Sequence, residues 1–130
     1  MKFFLTVGAI SGALAVLLGA FGAHLLKQMI SPEMLEVFKT GIQYQFYHTF
    51  ALLAVGILMY IKPAKTLKWC GYLFIGGILI FSGFLYLLAI TGIKPLGMIV
   101  PIGGVMLVAG WICLFVHIIN WSQITTDRPF

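Results

Sequence analysis

Four apolar runs leave this chain little choice of architecture. They cover about 3–26, 43–61, 69–90 and 96–121. A helix that crosses the hydrocarbon of a bilayer needs roughly 20 such residues. Lipid offers no partner to a peptide N–H or C=O, so each run must satisfy its own backbone as a helix. The expected fold is therefore all-α, a four-transmembrane-helix bundle forming a single integral membrane domain over residues 1–130. Charge agrees: 8% of the residues are charged, against about 25% in ordinary soluble domains. The first run, with Lys2 before it and Ala20 and Gly22 near its end, also has the ingredients of a signal peptide. It exceeds the usual core of about 7–15 residues, and it is read as the first span.

The net charge of +5 comes from eight Lys and Arg residues dispersed between the runs. That distribution suits orientation and headgroup contact and excludes nucleic acid as a partner. The expected partner is the lipid bilayer, with a second copy of the chain or another membrane protein as further candidates. Lys2, Lys62, Lys65, Lys68 and Arg128 fall on one side, and Lys27, Lys39 and Lys94 on the other. Positive charge collects in the cytoplasm, which predicts that both termini lie there. Cys70 and Cys113 lack metal-type spacing and share the cytoplasmic half, so no disulfide is expected.

Between the runs, Ser31-Pro32-Glu33 reads as a helix start, with a serine cap, a proline in the first turn and a carboxylate at the positive end of the dipole. Met34, Leu35 and Phe38 oppose Glu36 and Lys39. This predicts a short interfacial helix at about 32–40, separated from the second span by a bend near Gly41. Residues 62–68 read as a basic loop, Thr91 to Pro95 as a tight turn, and Ser122 to Phe130 as a polar tail.

Small residues mark the packing faces. Gly8, Gly12, Ala15, Gly19 and Gly22 recur at steps of four and three, forming one stripe along the first span. Such stripes let helix backbones approach closely in lipid, within one bundle or between two copies. His24 points away from this stripe, onto the face of Ala13, Leu17 and Ala20, so the first span is expected to be enclosed on two sides. Gly76, Gly77 and Gly83 read as contacts of the third span. Gly103, Met106, Gly110, Cys113 and His117 form a heptad stripe on the fourth.

Polar groups collect at one depth. Tyr44, Gln45 and His48 lie in the first turns of the second span, His24 at the end of the first, and Ser82 and Tyr86 in the third. Pro101, Gly103 and Gly104, in the fourth, are placed to free backbone carbonyls. Together they make an outer-leaflet polar layer with two readings: groups that satisfy one another and lock the bundle, or a pocket open to the outer surface. The depths also allow His24 and His48 to face each other, as a metal or haem site would require, although no metal or cofactor is expected. His117 lies apart, near the cytoplasmic end. No Asp or Glu falls inside a span, which argues against proton-coupled exchange. HExxH, GxSxG and phosphate-cradling loops are absent, and an enzyme is not expected.

Several strings carry a resemblance together. They are Gly19-Ala20-Phe21-Gly22-Ala23-His24, Tyr44-Gln45-Phe46-Tyr47-His48 with Ala51-Leu52-Leu53, Phe81-Ser82-Gly83-Phe84-Leu85-Tyr86, and Pro101-Ile102-Gly103-Gly104 through Gly110-Trp111. In this order the chain resembles the YgdD/YwdK-type family of small inner-membrane proteins, which has the eukaryotic transmembrane protein 256 among its relatives. The resemblance covers nearly the whole chain. It implies a four-helix protein of the bacterial cytoplasmic (inner) membrane and supplies no activity. The leading expectation is a non-enzymatic module that binds a lipid, a small amphipathic ligand or a partner protein through the polar layer. A small oligomeric transporter or channel comes second, and a histidine-ligated metal or haem protein third.

Overall fold

The computed structural model describes residues 2–125, with side chains through Trp121. The described residues are helical apart from short connections: α1 (Lys2–His24), α2 (Pro32–Ile61), α3 (Lys65–Gly77), α4 (Gly83–Thr91) and α5 (Val100–Thr125). A π-helical turn, Ile78–Ser82, joins α3 to α4 without a break. Four membrane-length helices result: Lys2–Gln28, Pro32–Ile61, Lys65–Thr91 and Lys94–Trp121.

The start of α2 obeys the expected signals. Ser31 is extended and its side chain accepts from the Met34 N–H at 3.2 Å, with Pro32 in the first turn. The separate interfacial helix does not exist: α2 is one helix of 30 residues that passes through Gly41. Gly41 is buried against a neighbour and stops nothing. A Cβ there would lie 2.7 Å from the Tyr86 ring, and its carbonyl accepts the Ser82 hydroxyl at 2.6 Å. A small residue inside a pattern looks like a breaker, but here close packing explains it.

Other boundaries move for local reasons. The α2–α3 connection shrinks, so Lys65 and Lys68 lie in the first turn of α3. Gly92 ends α4 in the left-handed conformation, φ 68°, with its N–H on the Leu88 carbonyl at 2.8 Å. This is the conformation a non-glycine residue resists. A 3-10 segment, Lys94–Met98, comes next, and α5 begins only at Val100. Pro101 therefore stands in the first turn of α5, where its missing N–H costs nothing. Helix α5 continues to Thr125, and the remainder of the expected tail lies outside the described residues.

The glycine stripe of α1 is used inside the chain. A Cβ on Gly8 would meet Leu53, one on Gly12 would meet Thr49, and one on Gly22 would meet Phe38, while Ala15 is fully buried. Gly56 of α2 receives Leu5 in the same way. A Cβ on Gly19 would meet nothing within 4 Å, and neither would one on Gly83. The opposite face of α1 is not enclosed: Ala13, Leu17 and Ala20 are exposed, the arrangement lipid requires.

Two apolar clusters fill the bundle. The larger, at the end carrying the α2–α3 loop, gathers Phe4, Leu52, Val55, Leu67, Phe74 and Leu107. The smaller, at the opposite end, holds Leu26, Phe38 and Ala89. Between them lies a layer of polar side chains.

Candidate functional site

Gln45 is the hub of that layer. It is the fourteenth residue of α2, about 20 Å along the helix axis. Because α2 is a single helix from Pro32 to Ile61, Gln45 sits near its middle. At this depth every polar atom needs a protein partner. The amide supplies two. Its Nε2 donates to the Ser11 carbonyl at 2.8 Å and reaches Ser11 Oγ at 3.4 Å, while Oε1 accepts the Tyr86 hydroxyl at 2.5 Å. Ser11 Oγ in turn bonds Thr49 Oγ1 at 2.7 Å, and Ser82 binds the Gly41 carbonyl. One amide thus ties α1 to α2 and α2 to α4.

One turn further along α2, His48 makes a second node. Its Nδ1 lies 2.6 Å from the Tyr44 carbonyl, and Trp111 Nε1 approaches its Nε2 at 3.0 Å. An indole N–H can only donate, so Nε2 must accept. The ring proton is therefore on Nδ1, which donates to Tyr44. His48 is a neutral imidazole with both nitrogens engaged. Phe74 packs edge-on against Trp111, with ring centroids 5.3 Å apart.

The expected residues divide. Gln45, His48, Ser82 and Tyr86 come together as the core of the layer. Tyr44 is exposed, and its ring packs on Phe81 with centroids 4.5 Å apart. Gly103 contributes by absence: a Cβ there would lie 2.3 Å from the Phe81 backbone nitrogen, so α5 rests directly on the π turn. Gly104 faces the Phe81 ring at 3.6 Å. Pro101 and His24 are exposed and outside the layer. His24 does not face His48, whose nitrogens are committed elsewhere, so the paired-histidine arrangement is not formed. Helix α1 reaches the layer through Ser11 instead.

Ser11, Thr49 and Trp111 were missing from the expected set. The first two carry a signal in the sequence. Ser11 lies among the small residues between Gly8 and Ala15, and Thr49 comes one helical turn after Gln45. Trp111 gives no such sign, because an indole amid apolar residues reads as bulk.

Beside the layer lies a groove of about 340 Å³ between α1 and the third span. Val7, Leu14 and Leu18 form one wall, and Ile75, Ile78 and Leu79 the other. Buried Ser11, Gln45 and Ser82 lie at its base, while Leu14 and Leu79 on its rim are exposed, so it opens sideways toward lipid. Near the α2–α3 loop, Phe4 packs on Tyr72, with centroids 5.4 Å apart, and on Gly71. Beyond that contact the walls part, each pinned separately to α2 by the bonds of Gln45 and Ser82.

Comparison with known proteins agrees with this architecture. The family described as "Protein of unknown function (DUF423)" matches residues 18–104. The UPF0382 membrane protein YwdK of Bacillus subtilis (strain 168) is 42% identical over 122 residues, covering 93% of this chain and 99% of its own. A UPF0382 membrane protein of Staphylococcus aureus (strain bovine RF122 / ET3-1) is 45% identical over 116 residues, covering 89% and 94%. Its counterpart in Staphylococcus saprophyticus is 43% identical, covering 89% and 96%. No solved structure matches the chain. A four-span helical bundle with this coverage of its relatives belongs to the UPF0382 (DUF423) family, and it is a bacterial multi-pass membrane protein.

Proposed function

We propose that this protein is a non-enzymatic membrane module that holds the hydrocarbon chain of a lipid, seated in the cytoplasmic membrane with both termini inside. The observation that supports the reading is the lateral groove. Its walls are carbon, it opens at the exposed side chains of Leu14 and Leu79, and its volume of about 340 Å³ lies within the usual range of ligand pockets. The polar atoms at its base already bond one another, so an entering chain meets no unsatisfied donor or acceptor. The polar layer acts as a brace that keeps the groove from collapsing, and it does not recognise the ligand.

Native mass spectrometry of the detergent-released protein, wild type beside Leu14→Trp, tests this. The indole would occupy the groove from its exposed rim. A lipid species retained by the wild type should fall about tenfold in the variant, equivalent to about 1.4 kcal/mol, with melting unchanged. Equal retention in both proteins would sink the reading.

A further inference from the structure

A second pocket lies at the other end of the molecule, away from the groove. It has a volume of about 240 Å³ and sits between the α2–α3 loop and the last turns of α5, lined by Lys62, Thr66, His117, Asn120 and Trp121 among others. Its chemistry is unlike that of the groove. Lys62 brings a cation, and Thr66, His117 and Asn120 bring hydrogen-bonding side chains. The described carboxylates, Glu33 and Glu36, lie in the first turns of α2 at the opposite end. Lys65 and Lys68, on the first turn of α3, add positive charge to the same face.

His117 gives the sharper indication. Its Nε2 is buried and has no hydrogen-bond partner among the described residues, while its ring is held edge-on by Trp121, with centroids 5.5 Å apart. A buried polar atom without a partner costs stability unless something outside the chain satisfies it. Here the orphan atom belongs to a side chain that shares its pocket with an ammonium group and two neutral hydrogen-bonding groups. An acceptor-rich anion balances the Lys62 charge, accepts from Thr66 and Asn120, and accepts from His117 when Nε2 carries the ring proton, whereas an apolar chain would satisfy none of them.

We propose that this pocket binds a phosphate group, carried on an anionic phospholipid or free in solution, with Lys62 supplying the charge and His117 and Asn120 the hydrogen bonds. The pocket is at the end of the spans, where headgroups lie, and Trp121 is the kind of side chain that settles at that level. Basic groups near a membrane surface attract anionic lipid, and this pocket gives that attraction a fixed address.

The test uses the full chain in neutral detergent, offered phosphatidylglycerol or phosphate-free diacylglycerol with identical acyl chains, so that the groove contributes equally to both. Native mass spectra should show phosphatidylglycerol retained about tenfold over diacylglycerol. Lys62→Gln and His117→Leu should each erase most of that preference, while Lys94→Gln, at the far end, should leave it intact. Asn120→Leu, at an exposed position, serves if either of the first two variants fails to fold. Inorganic phosphate in large excess separates the sources: displacement of the lipid identifies a site for the free anion as well, and persistence identifies a headgroup site. Equal retention of the two lipids by the wild type, or the same loss from Lys94→Gln as from Lys62→Gln, overturns the proposal.

Discussion

The contact between α1 and α2 and the contact between α3 and α5 are both made without the hydrophobic drive that water supplies, because lipid is as apolar as leucine. They solve the problem differently. The α1–α2 contact combines small residues with hydrogen bonds: Gly8 under Leu53, Gly56 under Leu5, and the Gln45–Ser11–Thr49 chain between them. The α3–α5 contact depends mostly on shape. Gly76 receives Met106, Gly77 receives Leu107, Gly110 receives Phe74, and Gly103 lies on the backbone of Phe81. Polar contact is slight there, with Cys113 Sγ at 3.4 Å from the Thr66 carbonyl. One interface should therefore fail when a hydrogen bond is removed, and the other when a methyl group is added.

The largest effect is expected at Gly103. The nearest atoms to an added side chain belong to the backbone of Phe81 and Ile80, which cannot rotate aside. Gly103→Val should lower stability by about 3 kcal/mol or more, read as loss of the folded bundle in a detergent unfolding titration. If it folds as well as wild type, the shape-only account of α3–α5 is wrong. Next comes Gln45→Leu, which keeps bulk and removes the bonds to α1 and α4. Each interhelical bond in a membrane contributes about 0.6–2 kcal/mol, and the variant should lose about 2 kcal/mol in the same titration. Trp111→Phe preserves the ring and deletes the bond to His48. A cost of about 1 kcal/mol is expected, together with a shift of the His48 ring signals in nitrogen NMR. A double-mutant cycle of Ser11→Ala and Thr49→Val should return a coupling near 0.6 kcal/mol; zero coupling would remove the hydroxyl pair from the α1–α2 account. Gly19→Ala, with open space around the position, should change stability by no more than about 0.5 kcal/mol. A large loss there would mean that Gly19 meets a second copy of the chain.

How much of this was legible beforehand depended on whether the signal was periodic. Four spans, their order and the stripe of Gly8, Gly12, Ala15 and Gly22 can be read from spacing alone. The Ser31 cap was legible as well, because capping is local chemistry. The length of the helix beyond its cap is not local: whether α2 stops at Gly41 is decided by Tyr86 and Ser82, some forty residues away in sequence. His24 misled for a related reason. A histidine near a helix end invites a partner, and depth is easier to read than rotation about the helix axis. The polar layer itself was legible as a set of residues near one depth. Its link to α1 depended on Ser11, a side chain that composition hides among small residues.

The π turn at Ile78–Ser82 acts as a phase shifter. Such a turn takes one more residue than an α turn, so everything after it is rotated by about 100° relative to an uninterrupted helix. Ahead of the turn, Gly71 addresses α1, and Phe74 and Gly77 address α5. At its last residue and behind it, Ser82 and Tyr86 address α2. Wound as α-helix throughout, the same residues would turn Tyr86 by about 100° away from α2 and strand the Gln45 amide without altering any member of the layer. One extra position in the chain thus sets the angular register by which the two halves of the third span serve different partners.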